Sequence, residues 1–117
     1  IHAVKAYHDI IRIHKKSKPK QPWIIHGFRG KPETARQLTH EGLYLSYGEY
    51  YNHESLKSTP IDRLFLETDE GNMTIEKLYR KAARTRGLPV HTLRKAIALN
   101  ITHVFIFLPP GKRFTNI

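Results

Sequence analysis

Three residues of this chain could do metal chemistry together: His2, His26 and Asp69. Neutral imidazole nitrogen and carboxylate oxygen are the ordinary protein ligands of zinc and related divalent ions. The sequence holds eight histidines, so a single one says little. His8, His14, His40, His53, His91 and His103 read as surface or packed residues of helices and loops. Position sets the other three residues apart. His26 directly follows the apolar run Trp23–Ile25, and Asp69 closely follows Leu64–Leu66. His2, preceded only by Ile1, reads as the end of a further strand. In parallel α/β folds the carboxyl ends of the strands are where ligand-binding and catalytic groups converge.

The elements that must position these residues are legible from periodicity. Val4, Tyr7, Ile11 and His14, with Ile10 beside them, predict a helix over 3–16 that Pro19 and Pro22 end. Trp23–Ile25 lacks polar alternation and predicts a strand buried on both faces. Gly27 and Gly30 follow it at once. Pro32 suits the first turn of a second helix, Lys31 is a poor cap, and Gly42 is placed to close that helix. Leu43–Tyr47 predicts an aromatic-rich strand ended by Gly48. Residues 52–60 read as a loop with one helical turn. Leu64–Leu66 is a third strand, leading into Glu67, Thr68 and Asp69. Thr74 caps a helix carrying Ile75, Leu78, Tyr79 and Ala82, which Gly87 stops. A last helix is expected from His91 to about Phe105, with Leu93, Ala96, Ile97 and Ile101 on one face. Short apolar strands alternating with helices predict an α/β fold with a parallel sheet.

Composition narrows the functional classes. There is no cysteine, which excludes disulfides, thiolate metal sites and a thiol nucleophile. No apolar run reaches the ~20 residues that a membrane span needs, so no membrane role is expected. Ile1–Lys5 lacks the layout of a signal peptide, and a cytoplasmic setting is expected. Lys and Arg number 20 against 10 Asp and Glu, a net charge of +10. Such an excess attracts polyanions, nucleic acid above all; the other reading is that an acidic partner segment balances it. The densest basic stretch, His14–Lys20, reads as a solvated linker. Met73 is the sole methionine and the chain opens without cap or turn chemistry, so a fragment of a longer protein is expected.

Four segments, in order and at matching spacing, resemble TatD-type metal-dependent hydrolases. Pro22–Gly30 (PWIIHGFRG) looks like that family's His-x-Phe-x-Gly segment. Ala35–Gly48, ending GLYLSYG, is similar to its next strand. Asp62–Asp69 (DRLFLETD) resembles its Leu-Glu-Thr-Asp signature, and Ile1–Ala6 its earlier His segment. Asn100–Phe105 looks like the family's final helix. The resemblance covers residues 1–105 and leaves 106–117 as a tail of no clear structure. It implies the C-terminal half of a TIM-type barrel with two divalent ions (zinc, manganese or magnesium) and phosphodiester hydrolysis of the deoxyribonuclease kind. By that likeness His2 and His26 would bind one ion. Asp69 would bind the other and help to activate water. The family's His-x-His pair and bridging Glu would lie upstream of residue 1, in a missing N-terminal half of the barrel that becomes a partner. The isolated chain is therefore expected to be inactive or nearly so, since a catalytic zinc site normally needs three protein ligands. Arg29 stands where relatives commonly have a small polar residue; it could contact a substrate phosphate or face solvent. Glu67 could orient a neighbouring ligand or solvate the strand end. Glu49 is a weaker candidate.

A rival comes from another class. Ala83, Gly87 and Leu93 have the spacing of a helix-turn-helix within 78–100, and Arg84, Arg86, Arg94 and Lys95 add basic charge. This would be a non-enzymatic DNA-binding module. A degenerate, non-catalytic barrel remnant is a third reading. The module requires the final helix to present its face to solvent; the hydrolase requires the ligand residues at one rim of the sheet.

Overall fold

The three apolar runs form three parallel strands: β1 (Trp23–Ile25), β2 (Tyr44–Tyr47) and β3 (Leu64–Leu66). The computed structural model describes residues 4–68, 73–106 and 115–116. His2 and Asp69 lie outside the described residues. The sheet order is β3-β2-β1-β4, where β4 is Thr115–Asn116. Ile25 sits opposite Leu45, and Leu45 opposite Leu64. These three residues therefore share one face.

That face carries the main core. Ile25, Leu45, Tyr47 and Leu64 pack with Tyr7 and Ile10 of α1 (Val4–Ser17) and with Ala35 and Leu38 of α2 (Pro32–His40). Leu56 of α3 (His53–Ser58), Ala82 and Ala83 of α4 (Ile75–Arg86), and Leu93 and Ile97 of α5 (Val90–Ile106) complete it. Among the described residues the opposite face holds a small cluster, Ile24, Tyr44 and Val104, with Phe65 against it. α1 to α4 and the first part of α5 gather on one face, with only Val104 near the end of α5 reaching the other among the described residues. Helices on one face of a parallel sheet are the arrangement of a barrel wall, whereas doubly wound sheets carry helices on both faces.

The helix boundaries follow local chemistry. Thr74 accepts from Lys77 N at 3.2 Å and starts α4; Gly87, at φ +68, ends it in the left-handed conformation. Pro32 opens α2 without a side-chain cap at Lys31, as expected. Glu41 is the residue that closes α2, and Gly42 follows it at φ +101.

Two expectations need correction. Residues 52–60 are more than a loop with one turn: Asn52 accepts from Ser55 N at 3.0 Å and caps the six-residue α3, and a 3-10 turn at Ile61–Arg63 leads into β3. The tail is also not wholly without structure. Thr115 and Asn116 pair in parallel with Trp23 and Ile24. The physical reason is that the outer edge of β1 offers unpaired backbone groups, which any extended segment can satisfy.

Candidate metal centre

His26 is the first residue past β1, on the carboxyl edge of the sheet. Its ring is 45% exposed. Gly27 turns the chain at φ +61, which a residue with a Cβ rarely adopts. Phe28 then returns to the sheet: its N–H donates to Ser46 O at 3.0 Å. The Phe28 ring is fully buried, 5.2 Å from Tyr7 and 5.6 Å from Tyr47. Gly30 is required beneath it, because a Cβ there would come within 2.6 Å of Phe28 Cζ. Ser55 Oγ donates to Gly30 O and ties the far end of the loop to α3. His26 thus stands at the exposed start of a loop anchored at its other residues.

Glu67 is the first residue past β3. Its N–H donates to Tyr47 O at 2.9 Å, which extends the β2–β3 ladder one step and fixes where the side chain begins. Glu67 Oε1 lies 3.0 Å from His26 Nδ1. A carboxylate can only accept, so the ring donates from Nδ1 and its lone pair falls on Nε2. This is the carboxylate–histidine arrangement that orients imidazole toward a metal. The donor chemistry fits a divalent ion. Among the described residues, no group of three or more His, Cys, Asp or Glu is placed to hold one. The described part of the centre is one candidate ligand and the carboxylate that aims it.

Two further side chains stand at this edge. Arg29, on the loop after β1, lies over the ring of Tyr50, on the loop after β2, at 5.3 Å from its centroid. Sequence reasoning singled out Arg29 and missed Tyr50; the available signal was an aromatic residue just past the strand-ending Gly48. Glu49, the weaker candidate, has its Oε1 buried without a hydrogen-bond partner among the described residues, while its backbone oxygen accepts from Lys81 Nζ at 2.9 Å.

Two of the four basic residues singled out in 78–100, Arg86 and Arg94, are held within the fold, while Arg84 and Lys95 are exposed. Arg86 donates to Leu56 O at 2.6 Å and Thr59 O at 2.7 Å, closing the C-terminal end of α3. Burial pushes its guanidinium pKa down, with Tyr47 opposing. Arg94 pairs with Glu76 and covers the Tyr79 ring. Leu93, Ile97, Asn100 and Val104 of α5 are buried, and its outer side shows Leu99, Ile101 and Phe105 as well as Arg94 and Lys95. His14 bonds Glu41 at 3.2 Å and packs edge-on to Trp23, while His8, His40, His53, His91 and His103 are exposed.

A parallel strand–helix wall with imidazole and carboxylate together at its carboxyl edge is the arrangement in which barrel folds gather ligand-binding groups. The sequence model of the family described as TatD related DNase matches residues 1–106. The chain belongs to that family, and membership implies use of a divalent metal. A protein of Buchnera aphidicola subsp. Baizongia pistaciae, named an uncharacterized metal-dependent hydrolase, is 34% identical over 77 residues, 59% of this chain and 29% of that protein. The crystal structure of a TatD homologue from Escherichia coli K12 superposes with a TM-score of 0.76 at 17% identity, covering 92% of this chain and 49% of that one. That likeness establishes the fold as part of a TIM-type barrel. The chain spans about half the length of the solved relative and under a third of the curated one.

Proposed function

We propose that this chain supplies the carboxyl-terminal part of a divalent-metal hydrolase that cleaves phosphodiester bonds, as a deoxyribonuclease does. The observation that carries this reading is the His26–Glu67 contact at 3.0 Å on the carboxyl edge of the sheet. His14 also meets a carboxylate, Glu41 at 3.2 Å, but beside Trp23 at the start of β1; the His26 pair stands at the carboxyl edge, where ligand-binding groups converge. His2 and His26 serve one ion and Asp69 the other. Asp69 also takes the proton of the attacking water, and Arg29 meets a substrate phosphate. Bound divalent ions supply polarisation of the phosphoryl oxygen and a more acidic water. Zinc, manganese and magnesium all accept imidazole and carboxylate with differing water content. The net charge of +10 favours a polyanionic substrate.

The remaining ligands come from the other half of the barrel, so the 117-residue chain alone is inactive or nearly so. The test is cleavage of labelled DNA by a full barrel carrying this chain as its second half. His26→Ala should lower the rate at least about 100-fold. A full barrel that leaves DNA intact but hydrolyses other esters overturns the substrate assignment. Full-barrel activity from the 117-residue chain alone overturns the shared-ligand reading. The helix-turn-helix reading is not favoured, because α5 packs its Leu93–Ile97 face into the core and Arg86 is tied to the Leu56 and Thr59 carbonyls.

A further inference from the structure

Tyr50 is 65% exposed, the most of any large apolar side chain among the described residues. Exposure alone would mean little. The chain around it is the informative part. On one side, the Glu49 carbonyl accepts from Lys81 Nζ at 2.9 Å. On the other, Tyr51 OH bonds Thr85 Oγ1 at 2.6 Å, and Lys81 Nζ lies 4.7 Å from the Tyr51 ring centroid. Asn52 then caps α3. Tyr50 therefore projects into solvent from a segment pinned before and after it.

Its ring is also oriented. The Arg29 guanidinium carbon lies 5.3 Å from the ring centroid, within the range of a cation–π contact. Arg29 belongs to the loop that Phe28 and Gly30 anchor, so both halves of the pair are held from below. An aromatic ring fixed beside a guanidinium is the means by which proteins hold unpaired nucleic acid. The base stacks on the ring and the cation meets the backbone. Little order remains to be imposed when the ring is already held, which favours binding. Both loops leave the same edge of the sheet as His26 and Glu67.

We propose that Tyr50, braced by Arg29, is a stacking platform for an unpaired nucleobase of the substrate. This rests on the phosphodiester reading above and adds to it that the strand is gripped by a base as well as by its phosphates. Specificity for unpaired strands then arises at this edge, because a base in a duplex has both faces covered by its neighbours.

The experiment uses the 117-residue chain with a chelator, so that binding is read without turnover. Fluorescence anisotropy is followed with a labelled oligothymidylate and with an abasic oligonucleotide of the same length. Tyr50→Ala should weaken oligothymidylate binding about tenfold and leave the abasic strand unchanged. Tyr50→Trp should retain binding. Arg29→Ala should weaken both. Equal losses of Tyr50→Ala on the two strands, no loss on either, or no binding of either strand by the parent chain overturns the proposal. A duplex whose binding responds to Tyr50→Ala as strongly as the single strand also overturns it. Since no bond is cleaved, failure here leaves the hydrolase reading standing, and failure of DNA cleavage leaves this measurement intact.

Discussion

His26 Nδ1 stands 3.0 Å from Glu67 Oε1 although β2 lies between the two strands that carry them. Strands are spaced about 4.8 Å apart, so the two side chains bridge roughly 10 Å of sheet. The bond therefore reports on the whole edge, and it holds only while three strands keep register. Glu67→Ala should release the Nδ1 proton preference of His26, read as a changed tautomer in ring nitrogen–proton correlation spectra of this chain. In a full barrel the same change should weaken metal binding by about 10- to 100-fold by titration calorimetry. Glu67→Gln, which keeps an accepting oxygen, should recover part of it. An unchanged tautomer in Glu67→Ala would show that the carboxylate does not orient the ring.

Asn100 performs a different task on the opposite end of β3. Its side chain is buried, and its Nδ2 donates to Ile61 O at 2.8 Å and Leu64 O at 2.9 Å. The two bonds fix α5 to the 3-10 turn from which β3 starts. Asn100→Ala leaves both carbonyls without this donor, and a stability loss of about 2–3 kcal/mol is expected from urea unfolding. Asn100→Asp, which exchanges the donor for an acceptor, should cost at least as much. Wild-type stability in either variant would contradict this role.

Tyr47 gives a pH dependence with a definite sign. Its ring is fully buried and its hydroxyl lies 2.5 Å from Thr59 Oγ1. Burial pushes its pKa well above the usual tyrosine range, against the Thr59 bond and the Arg86 charge. Below the unfolded value of about 10, both states hold the proton and no stability is lost. Above it the unfolded chain ionises while folded Tyr47 does not, so stability falls as pH rises, by up to about 1.4 kcal/mol per pH unit. Tyr7 and Tyr79, also raised by burial, add in the same direction. Tyr47→Phe should be about 1 kcal/mol less stable at pH 7 and should lose stability more gently above pH 10. Parallel alkaline profiles for the two proteins would refute the assignment.

The sheet was legible because its information is local. Trp23–Ile25 and Leu64–Leu66 match the observed strands residue for residue, since strands buried on both faces must be continuously apolar. Thr74 and Gly87 marked α4 because cap chemistry acts within one turn. α3 was underestimated because six residues show little periodicity, and its start depends on one side chain, Asn52. The position of His26 at a strand end was readable, whereas its bond to Glu67, 41 residues away, depends on strand order. Tyr50 was missed for a related reason: its exposure is set by Lys81 and Thr85 of α4, which anchor its neighbours.

β4 has a consequence for assembly. A strand leading directly into α1 would reach β1 by a right-handed crossover and lie along the edge of β1 away from β2. Thr115 and Asn116 take that edge. The two arrangements exclude each other, so any strand docking along that edge would have to displace the Thr115–Asn116 pair. A ladder of two residues gives way readily, yet it shields an edge that would otherwise recruit another chain. Removing residues 107–117 should therefore raise self-association of the isolated chain in light scattering, and an unchanged monomer would show that the edge needs no guard.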